Sequence, residues 1–255
     1  MSRVWIWGAG ELGGRVARLA VDGGATVVGL TLTKKRHKAL RKAGVEARRG
    51  APSGVEPADQ LLLALPGHVA QHKAIKALAG TPPPRRAVLI SSTGYYGARG
   101  GHLDAESPPG ETTRAQAVAG VEAAFRAWAG EAGVILRLGG LYRCGRGPFS
   151  AFQKKRQPPP GPGDKTLALI HYDDAAWAAF EALGHPTPRD IYLGVIPPCP
   201  SRREFYLAAS VLLGLNLPNM GCDTGQSPAI YEVEALRADL LPTPAHPRWQ
   251  EALVP

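Results

Sequence analysis

The chain has 255 residues, of which 44% are hydrophobic and 20% are charged, which is the composition of an ordinary soluble globular domain. Its net charge of +9 is spread over short basic clusters without aromatic residues between them, which argues against a nucleic-acid partner. No apolar run reaches the roughly 18 residues that cross a bilayer, so we expect no membrane partner. The three cysteines have no C-x-x-C spacing, so we expect a cytoplasmic protein without a disulfide framework or a metal site.

Short apolar runs alternate with helical stretches through most of the chain. The predicted strands are residues 4–7, 25–30, 45–49, 61–65, 87–91, 134–138, 167–172 and 190–196. The predicted helices are residues 15–24, 35–44, 69–80, 112–130 and 175–184. This alternation predicts an α/β fold, a doubly wound parallel sheet of the Rossmann-like kind. We expect one domain over residues 1–255, in which residues from about 140 to 255 contribute a small C-terminal substrate lobe.

A glycine-rich turn follows the first predicted strand. It reads Gly8-Ala9-Gly10-Glu11-Leu12-Gly13, the G-x-G-x-x-G pattern between a strand and a helix. Gly8 permits the tight turn, Gly10 lets the backbone approach a pyrophosphate, and Gly13 allows close packing of helix on strand. With the amide donors of the helix N-terminus, this segment, including Glu11 and Leu12, is predicted to bind a dinucleotide. The Glu11 carboxylate would be unfavourable beside a pyrophosphate unless it points away.

The end of the second predicted strand distinguishes the two nicotinamide dinucleotides. An acidic residue there would bind the ribose 2′-hydroxyl of NAD, but the sequence from 31 to 36 reads TLTKKR and has no carboxylate. Hydroxyls and cations suit a 2′-phosphate, so NADP is favoured over NAD, with Thr31, Thr33 and Lys34 around that phosphate. The alternative is that the cations are only the solvated first turn of a helix.

Four segments, taken in order, resemble a known superfamily. They are GAGELGG (8–14), SSTGYYG (91–97), LRLGGLYRCGRGPF (136–149) and ALIHYDDAAWA (168–178). Over about residues 3–215 the chain resembles the extended short-chain dehydrogenase/reductase superfamily, the group of NAD-dependent epimerase/dehydratase-like proteins. The resemblance implies a Rossmann-like fold, a nicotinamide dinucleotide cofactor and a small-molecule substrate.

The resemblance also implies roles for individual residues. Ser92 would polarise a carbonyl or hydroxyl of the substrate; the alternative is that it only caps a local backbone turn at the strand end. Thr93 and Arg146 would contact the substrate, the arginine by binding a phosphate, and the alternative for Arg146 is that it is only solvated. Beyond the glycine-rich turn, the cofactor would be lined by Ala64, Leu65, Pro66 and Leu141.

One half of the superfamily's active site is absent from this sequence. The superfamily carries a Tyr-x-x-x-Lys pair, in which the lysine lowers the tyrosine pKa so that the tyrosine exchanges a proton near neutral pH. No tyrosine of this chain is followed by lysine at the fourth position. Aligned on Glu122, the tyrosine position is Arg114 and the lysine position is Val118. Arginine does not exchange protons in practice, so Arg114 cannot take the role of the tyrosine. In this replacement the chain resembles an atypical subgroup of the superfamily that keeps the fold and the NADP site.

Three functions remain open. The first is an NADP(H)-binding epimerase/dehydratase-like oxidoreductase that acts on a small polar, sugar-like or phosphorylated substrate. The second is a non-catalytic NADP(H)-binding sensor or regulatory protein. The third is a structural or partner-binding protein whose glycine-rich turn binds no dinucleotide. The first is slightly favoured, because Ser92, Tyr96 and Arg146 are expected to face one cleft. Candidate proton carriers, in place of the missing pair, are Tyr96, Tyr142, His171 and His102. A monomer and a homodimer are both open, because helix 112–130 could pair with its copy or face only its own sheet.

Overall fold

The computed structural model describes residues 2–216 and 220–253. Within them the strands are β1 (Arg3–Trp7), β2 (Thr26–Thr31), β3 (Glu46–Arg49), β4 (Gln60–Leu63), β5 (Arg86–Ser92), β6 (Gly101–Leu103), β7 (Gly133–Leu138), β8 (Gly140–Tyr142), β9 (Leu169–His171), β10 (Ile191–Gly194) and β11 (Ala229–Tyr231). The helices are α1 (Glu11–Asp22), α2 (His37–Lys42), α3 (His68–Leu78), α4 (Thr113–Ala129), α5 (Pro148–Lys155), α6 (Tyr172–Gly184), α7 (Arg202–Leu213) and α8 (Glu234–Asp239). In these described residues no helix is long and apolar enough to cross a bilayer.

Seven of the strands form one parallel sheet, in the order β10-β7-β5-β4-β1-β2-β3. The central strands are apolar because helices cover both faces of this sheet. On β1, Trp5 packs with residues of α3 and α4, whereas Val4 and Ile6 pack with residues of α1 and α6 on the other face. The predicted doubly wound parallel sheet is confirmed.

The order of the strands determines where a ligand can bind. β1 lies between β4 and β2, so the direction in which the chain adds strands reverses at this point. In open α/β sheets, ligands bind outside the carboxyl ends of the strands at such a reversal. The ends of β1, β2, β4 and β5 therefore frame the candidate site.

The chain past β7 differs from the predicted elements in detail. The predicted strand 167–172 is shortened to β9, which pairs with β8 and does not join the central sheet. β6 and β11 form a second small pair. α5, α7 and a 3-10 turn (Trp249–Leu253) enclose a separate hydrophobic cluster that contains Phe152, Phe205 and Tyr206. Strands of three residues are too short to produce a recognisable alternation, which is why these pairs were not predicted.

Candidate functional site

The glycine-rich turn after β1 is closely packed at two of its glycines and open at the third. Gly8 has a φ of +101°, and a Cβ there would lie 2.5 Å from the carbonyl oxygen of Ala64. A Cβ on Gly13 would lie 2.3 Å from the carbonyl oxygen of Gly8. A Cβ on Gly10 would meet only that same oxygen, at 3.8 Å. Packing therefore demands glycine at two positions, whereas Gly10 leaves free space beside the N-terminus of α1.

Two cavities open along the carboxyl edge of the sheet, with volumes of about 520 Å³ (the first cavity) and about 430 Å³ (the second cavity). The predicted residues that line the first cavity are Gly8, Gly10, Thr31, Thr33, Ala64, Leu65 and Pro66. Those that line the second cavity are Gly10, Glu11, Leu12, Ala64, Leu65, Pro66, Ser92, Leu141 and Arg146. Because Gly10 and the segment 64–66 border both cavities, the two cavities adjoin at these residues, and together we call them the cleft.

The first cavity is bordered by cations and not by carboxylates. Among the described residues that line it, Arg36 and Lys73 are cationic and none is acidic. The Thr31 hydroxyl donates to the carbonyl of Thr33 at 2.8 Å. Lys34, predicted to contact a 2′-phosphate, begins the 3-10 turn at 34–36 and does not line the cavity. A 3-10 turn has three residues per turn, so its three cations point in different directions, and Arg36 is the one that reaches the cavity.

The Glu11 carboxylate is held by arginines at the border of the cleft. Arg143 Nε lies 3.0 Å and Arg15 Nη2 lies 3.2 Å from its Oε1, and Arg36 Nη1 lies 3.7 Å from its Oε2. Burial raises the pKa of Glu11, but the hydrogen bonds and charges of Arg143 and Arg15 outweigh burial and hold the pKa below its ordinary value. The charge of this carboxylate is therefore balanced by the protein itself.

Ser92 ends β5 at the second cavity. Its Oγ accepts a hydrogen bond from the backbone N–H of Gly94 at 3.1 Å, which leaves the hydroxyl proton free to be donated. The neighbouring Ser91 is buried and donates to Glu122 Oε1 at 2.5 Å. Thr93, which was predicted to contact the substrate, begins the 3-10 turn at 93–96. Thr93 is not among the described residues that line the second cavity.

Tyr96, predicted as a catalytic partner of Ser92, lies inside the core. Its side chain is 1% exposed, its hydroxyl donates to the carbonyl of Asp104 at 2.6 Å, and Arg137 Nη1 donates to that hydroxyl at 2.8 Å. Burial raises the pKa of Tyr96 to about 12. Both hydrogen bonds hold the hydroxyl in the core, and Tyr96 lines neither cavity.

The other candidate proton carriers also lie away from the cleft. Tyr142 is buried and packs edge-on against His171, with ring centroids 5.1 Å apart. His171 caps α6, since its Nδ1 accepts from the N–H of Asp173 at 3.1 Å. Burial and the nearby His246 lower the pKa of His171. His102 is exposed on β6. None of the candidates is part of the described lining of either cavity.

His171, Asp173 and His246 place ligand-type atoms within 4.8 Å of one another, a grouping that could hold a metal ion and that sequence spacing could not indicate. Asp173 is already paired with Arg15, and His246 Nδ1 lies 2.8 Å from Glu251 Oε2. Most of the ligand atoms therefore have partners within the protein.

Seven further side chains among the described residues line the second cavity. They are His68, Gln71, Ile90, Ser91, Arg114, Val118 and Tyr172. Arg114 and Val118 are the residues at the positions of the missing Tyr-x-x-x-Lys pair, so the structure brings these two positions to the cleft. Gln71 joins the strand ends, because its amide donates to the carbonyls of Leu65 and Ile90. The sequence signals for His68 and Tyr172 were only their positions. His68 begins α3, five residues after the end of β4, and Tyr172 directly follows β9.

No protein-family model matches the sequence, and no curated protein does either. Solved structures match over nearly the whole chain. A functionally unknown conserved protein from Silicibacter pomeroyi is 20% identical, with 99% of this chain and 97% of that chain covered and a TM-score of 0.74. The human epimerase family protein SDR39U1 (isoform 2), solved with NADPH, is 21% identical, with 98% and 97% covered and a TM-score of 0.74. The UDP-glucuronic acid 4-epimerase from Bacillus cereus, solved with NAD, is 13% identical, with 98% and 96% covered and a TM-score of 0.75.

At these identities the likeness is one of fold. Two of the three structures carry a nicotinamide dinucleotide, NADPH in one and NAD in the other. The chain thus has the Rossmann-like α/β fold of the NAD-dependent epimerase/dehydratase-like proteins, as the resemblance of its four segments implied.

Proposed function

We propose that this chain is an NADP(H)-binding, epimerase/dehydratase-like oxidoreductase that acts on a small polar, sugar-like or phosphorylated substrate. The observation that carries the proposal is the pair of adjoining cavities at the reversal of strand order. The first cavity is bordered by cations, and the second carries Ser92, whose hydroxyl proton is available to be donated.

The residues of the cleft fit a nicotinamide dinucleotide. The space beside Gly10 and the free amides at the start of α1 suit a pyrophosphate. Arg36, Lys73 and the two threonines at the end of β2, Thr31 and Thr33, suit a 2′-phosphate. No acidic residue among the described lining would bind a ribose 2′-hydroxyl instead. These features support NADP(H) over NAD(H). When bound, the cofactor would supply hydride transfer.

The second cavity would hold the substrate. In this proposal the Ser92 hydroxyl donates to a carbonyl or hydroxyl oxygen of the substrate. Arg114 and Val118 do not exchange protons, so the tyrosine–lysine pair has no direct replacement at its own position. His68 and Tyr172 are the aromatic side chains of the described lining that can carry a proton, and they are the proposed proton carriers.

A second candidate function is a non-catalytic NADP(H)-binding sensor or regulatory protein. The observation that favours it is the pair Arg114 and Val118, which removes the superfamily's proton carrier from the cleft. A sensor requires the cofactor end of the cleft but has no need for the hydroxyl of Ser92.

Calorimetric titration of NADPH, NADP⁺ and NADH into the purified protein tests the shared part of both functions. We expect NADP(H) to bind more tightly than NADH. Absence of binding by all three dinucleotides would overturn both candidates.

A screen of small polar carbonyl and hydroxyl compounds, with NADPH absorbance as the readout, then separates the two candidates. Turnover that falls by about a hundredfold or more in Ser92→Ala and is retained in Thr93→Ala would support the oxidoreductase. Binding without turnover of any compound would favour the sensor.

A further inference from the structure

We infer that the second cavity binds an anionic group of the substrate, a carboxylate or a phosphate, between the guanidinium groups of Arg114 and Arg146 and beside Ser92. The identity of the ligand as a substrate rests on the proposed function. The anion site itself rests on the charges and contacts of the cavity. It gives the position of the missing tyrosine a different role, which is to bind charge.

Arg114 lies in the first turn of α4, which Thr112 caps. A cation at this end of a helix is unfavourable, because the helix N-terminus carries partial positive charge. The Arg114 side chain makes no hydrogen bond and no ion pair with any residue that the structure describes. Arg114 is exposed and lines the cavity, and a bound anion would offset the cost of placing a cation at this helix end.

The geometry around Gly94 brings Arg114 next to Ser92. A Cβ built on Gly94 would lie 3.3 Å from Ser92 Oγ and 3.6 Å from Arg114 Nε. The hydroxyl and the guanidinium therefore flank the same small gap on the cavity wall. A substrate that donates or accepts at Ser92 would have its neighbouring atoms within reach of the guanidinium.

Arg146 approaches the cavity from the segment before α5. Its guanidinium carbon lies 5.6 Å from the centroid of the Tyr172 ring, and its side chain makes no hydrogen bond or ion pair within residues 2–216 and 220–253. The nearby Arg143 differs, because it is paired with Glu11. The flat donor edge of Arg146 is therefore available to a carboxylate or phosphate, which guanidinium groups bind with two parallel hydrogen bonds.

The positive charge of this end of the cleft is not neutralised by the protein. Among the described lining residues of the second cavity, Glu11 is the acidic one, and arginines already hold its carboxylate. Partial burial lowers the pKa of Lys165, and the nearby charges of Arg202 and Arg114 lower it further. The Lys165 Nζ donates to the carbonyl of Gly97, the residue that follows the 3-10 turn at 93–96, outside the lining of the second cavity. An anion in this cavity would meet Arg114 and Arg146, with Lys165 nearby, and the paired Glu11 as the acidic residue of the described lining.

The test is calorimetric titration of two probes, inorganic phosphate and malonate, into the protein. Each titration is run on the protein saturated with NADP⁺, which fills the pyrophosphate cradle, and on the dinucleotide-free protein. The variants are Arg114→Gln and Arg146→Gln, with Arg114→Lys as a conservative variant. The matched control is Arg41→Gln, because Arg41 is exposed on α2 and lines neither cavity of the cleft.

We expect at least one probe to bind the wild-type protein. Its affinity should fall by about tenfold or more in each glutamine variant, the loss that accompanies one charge-assisted hydrogen bond, and should be unchanged in the Arg41 variant. The Arg114→Lys variant should bind with intermediate affinity, because it keeps the charge and loses the planar fork. Preference for phosphate or for malonate distinguishes the two sources of negative charge.

Two results would overturn the anion site. One is no binding of either probe to the wild-type protein, and the other is equal binding to the wild-type protein and both glutamine variants. Failure of NADP⁺ to bind would count against the proposed function alone, because the dinucleotide-free titrations still compare the arginine variants with the wild-type protein.

Discussion

Arg137 of β7 and Glu122 of α4 form an ion pair in the core, beside Ser91, the residue that precedes Ser92 at the end of β5. Arg137 Nη2 lies 2.9 Å from Glu122 Oε2, and the two side chains are 2% and 4% exposed. Ser91 donates to the same carboxylate, and Arg137 also donates to the Tyr96 hydroxyl and stacks on the ring of Tyr95 at 3.6 Å. The pair thereby ties β5, β7 and α4 together at the second cavity.

Glu122→Gln should destabilise the protein strongly. The variant leaves the Arg137 guanidinium buried without a compensating charge, so we expect the free energy of unfolding to fall by about 3–5 kcal/mol, measured by urea denaturation. The control is Arg126→Gln, which removes the exposed pair of Arg126 with Asp190 and should change the free energy by less than about 1 kcal/mol. Equal effects of the two substitutions would contradict a structural role for the buried pair.

Alanine substitutions in the glycine-rich turn should separate folding from binding. Gly13→Ala would place a Cβ against the backbone of Gly8 and should lower the free energy of unfolding by about 1–3 kcal/mol. Gly10→Ala has no such clash, so stability should change by less than about 1 kcal/mol while NADPH binding is lost.

The matched control for both glycines is Gly14→Ala, whose Cβ would have its nearest neighbour at 3.9 Å. This helical position should keep NADPH binding and gain up to about 1 kcal/mol of stability. Urea denaturation and calorimetry provide the two readouts. Full NADPH binding by the Gly10 variant would show that no pyrophosphate lies at this position.

Arg36→Ala should change the preference between the two dinucleotides. Because its guanidinium lines the first cavity, we expect NADPH affinity to fall by about tenfold, while NADH affinity changes by no more than about twofold. Lys35→Ala is the control, since Lys35 is exposed in the same 3-10 turn and does not line the cavity. Calorimetric titration of both dinucleotides measures the ratio, and parallel losses for NADPH and NADH would argue against a 2′-phosphate contact.

The protein should lose stability as the pH falls below about 6.5, the ordinary pKa of histidine. Burial and the nearby His246 hold the pKa of His171 below that value in the folded state. The unfolded chain then binds a proton more readily than the folded one, so the contribution is intact at higher pH and decreases as the pH falls.

His171→Asn isolates this contribution, because asparagine is also a good N-cap and can accept from the N–H of Asp173. Urea denaturation at pH 7.5 and at pH 5.5 provides the comparison. We expect a smaller loss of stability on acidification in the variant than in the wild-type protein. The same loss in both would assign the pH dependence to other groups.

The sequence by itself determined the parallel sheet and the glycine-rich turn. Both are local patterns, because an apolar run or a glycine at a tight turn reflects constraints that its own neighbours impose. β1, β4, β5 and β7 were predicted within a residue or two of their bounds. The short strand pairs β6–β11 and β8–β9 were not predicted, since three residues carry no periodicity and their partners lie far along the chain.

Only the tertiary structure decided which side chains of each polar cluster reach the cleft. Ser92 lines the second cavity, whereas Tyr96, four residues later, is held in the core by Arg137. Arg36 reaches the first cavity and Lys34 does not. In both clusters the residue types predict the chemistry, but the direction of each side chain depends on the backbone turn and on partners distant in sequence. Such long-range contacts leave no pattern in the local order of residues.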